Sequence, residues 1–279
     1  MILKMLIENE CKNKEMRKEH GLSLFIEVQG KKLLFDTGAS GAFIDNAAKM
    51  DVDVGEIDNV IISHGHSDHG GGLLRFLRNN RHAVVHISDK AKREYYIKLL
   101  LIKANTGIPH EVFETFPDRI CYINDFTRLE EGIFLVTEFK RKYPLVESSK
   151  NLLVKQDGQF IRDEFDHEIA LVIDNKGKLV IITGCSHNGV ENMIEAVKVH
   201  FPDRPIQTVI GGFHLMGFPF SNLMGESRPN ITALGNRLLD YRIEKTYTCH
   251  CTGKRGYSIL KETMGDKLDY FHTGMQIEL

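Results

Sequence analysis

Between Asn59 and Asn79 the chain reads NVIISHGHSDHGGGLLRFLRN, an apolar run, a cluster of histidines with an aspartate and glycines, then an amphipathic stretch. The run NVIIS predicts a buried strand, and Leu73, Leu74 and Leu77 share one face of a helix predicted from His69 to Asn79. Side chains two apart in extended backbone point the same way, so His64 and His66 present two imidazoles to one point beyond the strand. Gly65 lets the backbone pass close to whatever they hold. Asp68 falls where a helix N-cap belongs and His69 opens the helix, so both can be aimed into the same space. Neutral imidazole and carboxylate are the donors that Zn²⁺ takes, and that Fe, Mn or Mg accept in other proteins. A helix cap flanked by surface histidines is the competing reading, and the spacing H-x-H-x-D-H between a strand and a Gly-rich helix start argues against it.

The rest of the chain agrees with an enzyme-sized globular fold. It has 279 residues, 42% of them hydrophobic, enough for a substantial core. Lys and Arg total 36 against 38 for Asp and Glu, which gives no electrostatic case for nucleic acid or an acidic membrane. A small-molecule substrate is therefore expected; a homo-oligomer is left open. Five scattered cysteines and an amino terminus without signal-peptide character point to a reducing cytoplasm. No window is long and apolar enough to span a bilayer. The charge runs KNKEMRKEH and KRK read as solvated loops.

The opening predicts a strand followed by a hairpin turning at QGKK, and a helix follows at Gly41 to Met50. AVVHIS reads as a strand. Asp89 to Gly107 has helical composition, whereas Lys140 to Phe165 is polar and irregular. EIALVID, KLVIITG, IQTVIGG and EKTYTCH read as strands, with a helix from Val190 to His200, and LDYFHTGMQIEL closes the chain with one or two more. With no repeat and no long linker, the reading is one layered α/β domain over 1–279, with an insertion or lid within 89–165.

SHGHSDHGGG resembles the second signature of the metallo-β-lactamase-fold superfamily. LLFDTG resembles its first, with Asp36 as a buried carboxylate behind the metal. VIITGCSHNG, VIGGFHL and YTCHCTG fall in the order of its later metal-bearing strand ends. The resemblance implies an αββα sandwich, two mixed β-sheets flanked by helices, with one or two divalent metals along one edge. It implies His64 and His66 on a first metal, Asp68 and His69 on a second, and His250 completing the second. The usual bridging aspartate after TG is replaced here by Cys185 in TGCSH, which leaves that thiol as ligand, bridge or packed side chain. His187 is the preferred remaining ligand of the first metal, and His167, beside Asp163 and Asp166, is the fallback. Cys249 and Cys251 flank His250, and strand alternation would turn both into the core.

His214 in GGFHL and His20 in EHGLS lie in segments that resemble a narrower branch of that superfamily, one of metal-dependent hydrolases and of a methanopterin-pathway synthase. That synthase joins a dihydropterin diphosphate to an aminobenzene ribofuranosyl phosphate. His214 is accordingly expected at the metal's outer shell or against substrate, and His20 against substrate. Lys254 and Arg255 in HCTGKRG are candidates for holding a phosphate. Phe218, Phe220 and Met224 are candidates for a substrate pocket. The reading that follows is a hydrolase using a metal-activated hydroxide on an ester, with Asp68 orienting or deprotonating the nucleophile. The alternative is a transferase of the dihydropterin type. A diiron redox or sensing protein is the least favoured, because the redox branch resembles H-x-E-x-D-H where this chain has His66.

Overall fold

The computed structural model describes residues 1–99, 101–217 and 223–279. These divide into two compact units. The first comprises residues 1–124, 151–169 and 272–279, and the second 125–150 and 170–271.

The first unit carries a seven-stranded mixed sheet. Strands β1 (Ile2–Ile7), β2 (Ser23–Val28) and β3 (Lys31–Phe35) run antiparallel, and β4 (Asn59–Ile61), β5 (Val84–Ile87) and β8 (Ile120–Tyr122) continue in parallel from β3. The closing strand β18 (Gln276–Glu278) pairs with β1 at the other edge. The β2–β3 hairpin is set by its two-residue turn, because Gln29 and Gly30 both have positive φ, as a twist-compatible tight turn requires. Helices α1 (Ala42–Lys49) and α3 (Leu73–Asn79) pack Phe43, Ala47, Leu73, Phe76 and Leu77 into a core with Leu34, Val60 and Val85. Between β4 and α3 lies the single turn α2 (Ser67–Gly70). The helix expected to start at His69 is thus two short pieces, starting at Ser67 and at Leu73, with His66 as N-cap of the first.

Four further strands form a separate antiparallel sheet in this unit, in the order β12 (Gln159–Arg162), β11 (Leu152–Gln156), β6 (Glu94–Leu99), β7 (Ile102–Asn105). The helical reading of Asp89 to Gly107 therefore fails. Tyr95 pairs with Val154, more than fifty residues away, and that partner decides the conformation where local composition does not. A short helix, α4 (Glu111–Thr115), follows.

The second unit carries another seven-stranded sheet, in the order β17 (Leu268–Tyr270), β16 (Lys245–Thr248), β15 (Ile206–Gly211), β14 (Lys178–Ile182), β13 (Ala170–Asn175), β10 (Ile133–Val136), β9 (Thr127–Glu130). Strands β14 to β17 are parallel neighbours, joined in turn by α5 (Val190–His200), α6 (Arg228–Asp240) and α7 (Gly253–Met264). Val172, Leu179, Ile181 and Val209 meet Ile194, Val197, Leu234 and Leu260 of these helices in one core. The fold class is mixed α/β with sheets flanked by helices. Neither α6 nor α7 is among the helices expected from the sequence. No described helix is long and apolar enough to cross a membrane.

Candidate metal centre

Ligands in open α/β sheets collect beyond the carboxyl ends of parallel strands, and the histidine cluster sits there. Asp36 directly follows β3, and the 63–66 loop follows β4. Because Phe35 pairs with Ile61, the register brings Asp36 beside Ser63. Asp36 is fully buried in the left-handed conformation, with φ of 61°. Its carboxylate accepts from the Ser63 backbone N–H (2.7 Å), from Ser63 Oγ (2.7 Å) and from His69 Nδ1 (2.6 Å). The last bond places the His69 proton on Nδ1 and leaves the Nε2 lone pair for a metal, the usual way a carboxylate orients a ligating imidazole.

The loop itself is pinned on all sides. Ile169 N–H donates to Ser63 O (2.7 Å), Ile108 N–H to Gly65 O (3.2 Å) and Ser67 N–H to Thr106 O (2.7 Å). Gly65 is required by close approach, since a Cβ there would lie 2.5 Å from Tyr95 Cε2 and 2.7 Å from Ala91 O. Gly72 is required for the same reason, its Cβ falling 2.2 Å from the carbonyl oxygens of both Ser40 and Thr37. The glycines around the histidines therefore let the loop and helix start press backbone to backbone against residues 37–41 and 91–95.

His64, His66 and Asp68 each offer a ligand atom within 4.8 Å of the other two. His69 Nε2 lies 3.6 Å from Asp68 Oδ2. His64 and His69 are fully buried and His66 nearly so. Burial first, and then the neighbouring His69, His66 and His167, hold His64 well below the usual imidazole range, so it is neutral and able to donate a lone pair. Asp68 is also met by His20, whose Nε2 lies 3.4 Å from Oδ2, while His20 Nδ1 lies 3.2 Å from Asn9 Nδ2. His20, expected against substrate, is thus placed against the carboxylate.

His167 is placed behind the loop with both ring nitrogens committed. Its Nδ1 accepts from the Gly65 N–H (2.9 Å), which puts its proton on Nε2, 3.1 Å from Asp163 Oδ2. Burial lowers its pKa against the opposing pull of Asp163. Burial alone would raise Asp163, but His167 and His66, whose Nε2 lies 3.7 Å away, hold the carboxyl well below its ordinary range. His167 is therefore a brace for the loop, unlike the fallback ligand suggested by its sequence neighbourhood. Tyr95, its ring centre 4.3 Å from that of His167 and tilted by 40°, belongs to the same support and carried no sequence signal, since it arrives on β6. Asp166 instead faces the surface, pairing with Lys90 and Arg93.

In the second unit the remaining candidates stand after three adjacent parallel strands. Cys185 and His187 follow β14, His214 follows β15, and His250 follows β16. Cys185 Sγ is the hub, with a ring nitrogen of His187, of His250 and of His214, and Cys251 Sγ, each within 4.8 Å of it. The His187 and His214 rings are 4.2 Å apart. Ser186, His214 and His250 adopt left-handed φ of 55°, 48° and 51°, an uncommon conformation for residues with a Cβ that surrounding packing must enforce. Cys249 and Cys251 are both buried, as expected, although strand alternation is not the cause for Cys251, because the strand ends at Thr248. Residues 250–252 form a tight turn that carries Cys251 back toward Cys185. Burial would raise the Cys251 thiol, but Cys185, His250 and His214 together hold it well below its ordinary range.

Lys254 and Arg255 are exposed on the first turn of α7, and with Leu215, Met216, Leu223 and Met224 they line a shallow pocket. Phe218 and Phe220 lie outside the described residues.

The sequence profile described as "Metallo-beta-lactamase superfamily" matches residues 16–185. The chain belongs to the metallo-β-lactamase superfamily. Within it, the chain is 27% identical over 277 residues to a curated protein of Methanocaldococcus jannaschii, 7,8-dihydropterin-6-methyl-4-(beta-D-ribofuranosyl)-aminobenzene-5'-phosphate synthase, covering 93% of this chain and 90% of that one. A crystal structure described as a metal-dependent hydrolase of the β-lactamase superfamily superposes with a TM-score of 0.84 at 28% identity, over 100% of this chain and 99% of the other. Zn²⁺-bound PqqB from Methylobacterium extorquens shares the fold, with a TM-score of 0.60 at 12% identity and full coverage of both chains. The superfamily binds divalent metals and is largely enzymatic, and the buried His donors with the partly exposed Asp68 fit such an ion by chemistry and proximity.

Proposed function

We propose that this chain is a metal-dependent hydrolase acting on an ester bond in a small, phosphate-containing molecule, with two zinc ions. The observation that supports it most is the His64, His66, Asp68 and His69 group, with Asp36 presenting His69 as a lone-pair donor. His187 and His250, with Cys185, are the further ligands that the superfamily signature implies. When bound, the metals would supply Lewis-acid polarisation of the scissile group and acidify water at neutral pH.

The chain's own residues have separate tasks in this reading. Asp68, 22% exposed at its side chain, is the accessible carboxylate, and one of its oxygens can accept a proton from the attacking nucleophile. His20, oriented by Asn9, holds Asp68 by its other contact and keeps that oxygen aimed. Asp36 and the His167–Asp163 pair keep the histidine loop in place and exclude water behind it. Lys254 and Arg255, at the positive end of α7, are assigned to a substrate phosphate. His214 is assigned to the metal's surroundings.

Metal-loaded protein, prepared with Zn²⁺, Mn²⁺ or Fe²⁺, should cleave at least one member of a panel of phosphomonoesters, phosphodiesters, thioesters and lactams, and Asp68→Asn should abolish that activity. Inactivity across the panel with every metal would overturn the proposal.

A second reading, group transfer, is favoured by the 27% identity to the dihydropterin-type synthase over nearly the whole of both chains. The same donors would then act on a diphosphate leaving group while an aromatic acceptor attacks carbon. Incubation with a dihydropterin diphosphate and an aminobenzene ribofuranosyl phosphate separates the two. A coupled product supports transfer, and diphosphate release without coupling supports hydrolysis.

A further inference from the structure

Strand β7 is the last of the four-stranded sheet in the first unit, and no described strand lies beyond it. Leu99 pairs with Ile102 and Ile97 with Ala104, and Thr106 N–H donates to Tyr95 O (2.8 Å), so Ile102 and Ala104 turn their backbone groups to β6. Lys103 and Asn105 therefore turn theirs outward. The side chains along this edge are largely apolar. Leu101 is fully exposed and Ile102 69% exposed. Ile102 and Ala104 share a sheet face with half-buried Ile97 and Leu99, and the inner end of that face is buried Tyr95 and Val154.

Edge strands are ordinarily protected by charge, above all by lysine. Lys103 gives little such protection, because its ammonium lies 4.0 Å from the centre of the Phe160 ring on β12, drawn back across the sheet from the edge. A net charge of −2 and this recessed lysine disfavour an anionic bilayer as what covers the apolar tip. A second copy of the strand meets it better, since it brings the same apolar row and the same outward N–H and C=O groups.

We propose that the chain forms a two-fold dimer in which β7 pairs antiparallel with β7 of a second copy, joining two four-stranded sheets into one. Outward-facing residues must meet outward-facing ones, which leaves registers centred on Lys103, Ala104 or Asn105. The first sets lysine against lysine. The third needs the edge at Gly107, which is already bridged to His66. Centring on Ala104 lets Lys103 exchange both backbone hydrogen bonds with Asn105 of the second copy. It also brings the two Ala104 residues together as a close pair, with Cα atoms about 4.5 Å apart. Ile102 then lies beside Thr106 of the second copy. Because Thr106 O accepts the Ser67 N–H, each hairpin tip packs on the segment that pins the other copy's histidine loop. Two-fold closure also leaves no β7 edge free to propagate, whereas pairing β7 with β12 of a further copy would build a filament.

Light scattering of the full-length chain over a wide range of concentration should show a dimer at the upper end. Lys103→Pro removes an outward N–H and leaves the β6–β7 bonds intact, and Ile102→Asp alters an exposed side chain. Both should give monomers with the circular dichroism of the wild type. Cross-linking reads the register in a Cys11→Ser, Cys121→Ser background, which removes the two thiols that are not buried. There Ala104→Cys should form a disulfide-linked dimer on mild oxidation, since disulfides accept Cα separations of about 4.4–6.8 Å, and Lys103→Cys should not. A monomer at every concentration, a dimer that survives both substitutions, or cross-linking through Ile161→Cys on β12 in place of Ala104→Cys would overturn the proposal. So would a monomer that sediments with phosphatidylcholine–phosphatidylserine vesicles, the result that would give the apolar tip to a membrane.

Discussion

Asp36→Asn changes one atom, from oxygen to an NH₂ group, and its effect can be worked from three contacts. The carboxylate accepts from Ser63 N–H, Ser63 Oγ and His69 Nδ1 at 2.6 to 2.7 Å, in full burial. An asparagine still accepts the Ser63 N–H with its oxygen, and it tolerates the left-handed backbone at φ 61°. Its amide nitrogen, however, faces His69 Nδ1 as a donor facing a donor. The imidazole must then move its proton to Nε2, the nitrogen that would bind metal. Ser63 Oγ can turn to accept, so the fold should lose only about 1–3 kcal/mol, the range for a rearranged charged hydrogen bond. Metal affinity should fall about 10–100-fold, or roughly 1.4–2.7 kcal/mol, the usual consequence of losing the carboxylate behind a ligating histidine. Competition for Zn²⁺ against a chromophoric chelator measures the affinity, and thermal unfolding of the metal-free forms measures the fold. Wild-type affinity in a folded Asp36→Asn chain would refute the tautomer argument and with it the place of His69 as a ligand.

Other consequences are as direct. Burial lowers His86 to about 4 in the folded chain, so between that value and about 6.5 the unfolded chain binds the extra proton and stability falls as the pH drops. The contribution is complete above about pH 6.5 and worth about 3 kcal/mol. His64 and His167 act in the same direction, so His86→Leu should flatten the denaturant-midpoint profile over pH 4–6.5 without abolishing its slope. Gly72→Ala forces a Cβ onto two carbonyl oxygens 2.2 Å away and should cost about 3 kcal/mol or more, seen as a lower urea midpoint; an unchanged midpoint would contradict the packing described. Chelation should lower the melting temperature, because free metal at about 100 times its Kd stabilises the folded state by about 2.7 kcal/mol. Calorimetry showing one melting temperature with and without chelator would count against a bound metal.

Elements whose information is local were legible. The QGKK hairpin follows from a turn that only positive-φ residues can make, and the helix from Val190 to His200 follows from its periodicity. Helix α6 left signals that could have been read, Ser227 capping Asn230 N–H and Pro229 in the first turn. Its interior, however, holds Asn, Thr and Gly, poor helix formers. Gly235 is there for close approach to α7, where a Cβ would lie 3.0 Å from Thr263 Cγ2. Helix α7 opens on Gly253 and keeps Gly256, whose Cβ would meet Leu215 at 3.0 Å. In both helices packing prevails over propensity. The strands β6 and β7 were hidden for the converse reason, the helical composition of β6 yielding to pairing with distant β11, and β7 then adding to β6 as the edge strand.

The sequence by itself determined that His64, His66, Asp68 and His69 would gather at one strand end, because covalent spacing in a strand, a glycine turn and a helix start leaves them nowhere else to point. It also marked Asp36 by its place in LLFDTG. Only the tertiary structure decided that His20 would face Asp68, that His167 would brace the loop through Gly65, and that Cys251 would meet Cys185 and His214. Those meetings join residues 48, 102 and 66 positions apart (20 to 68, 65 to 167, 185 to 251). They depend on strand register and on turns that end a strand early, quantities fixed by packing over the whole unit and encoded in no short stretch of chain.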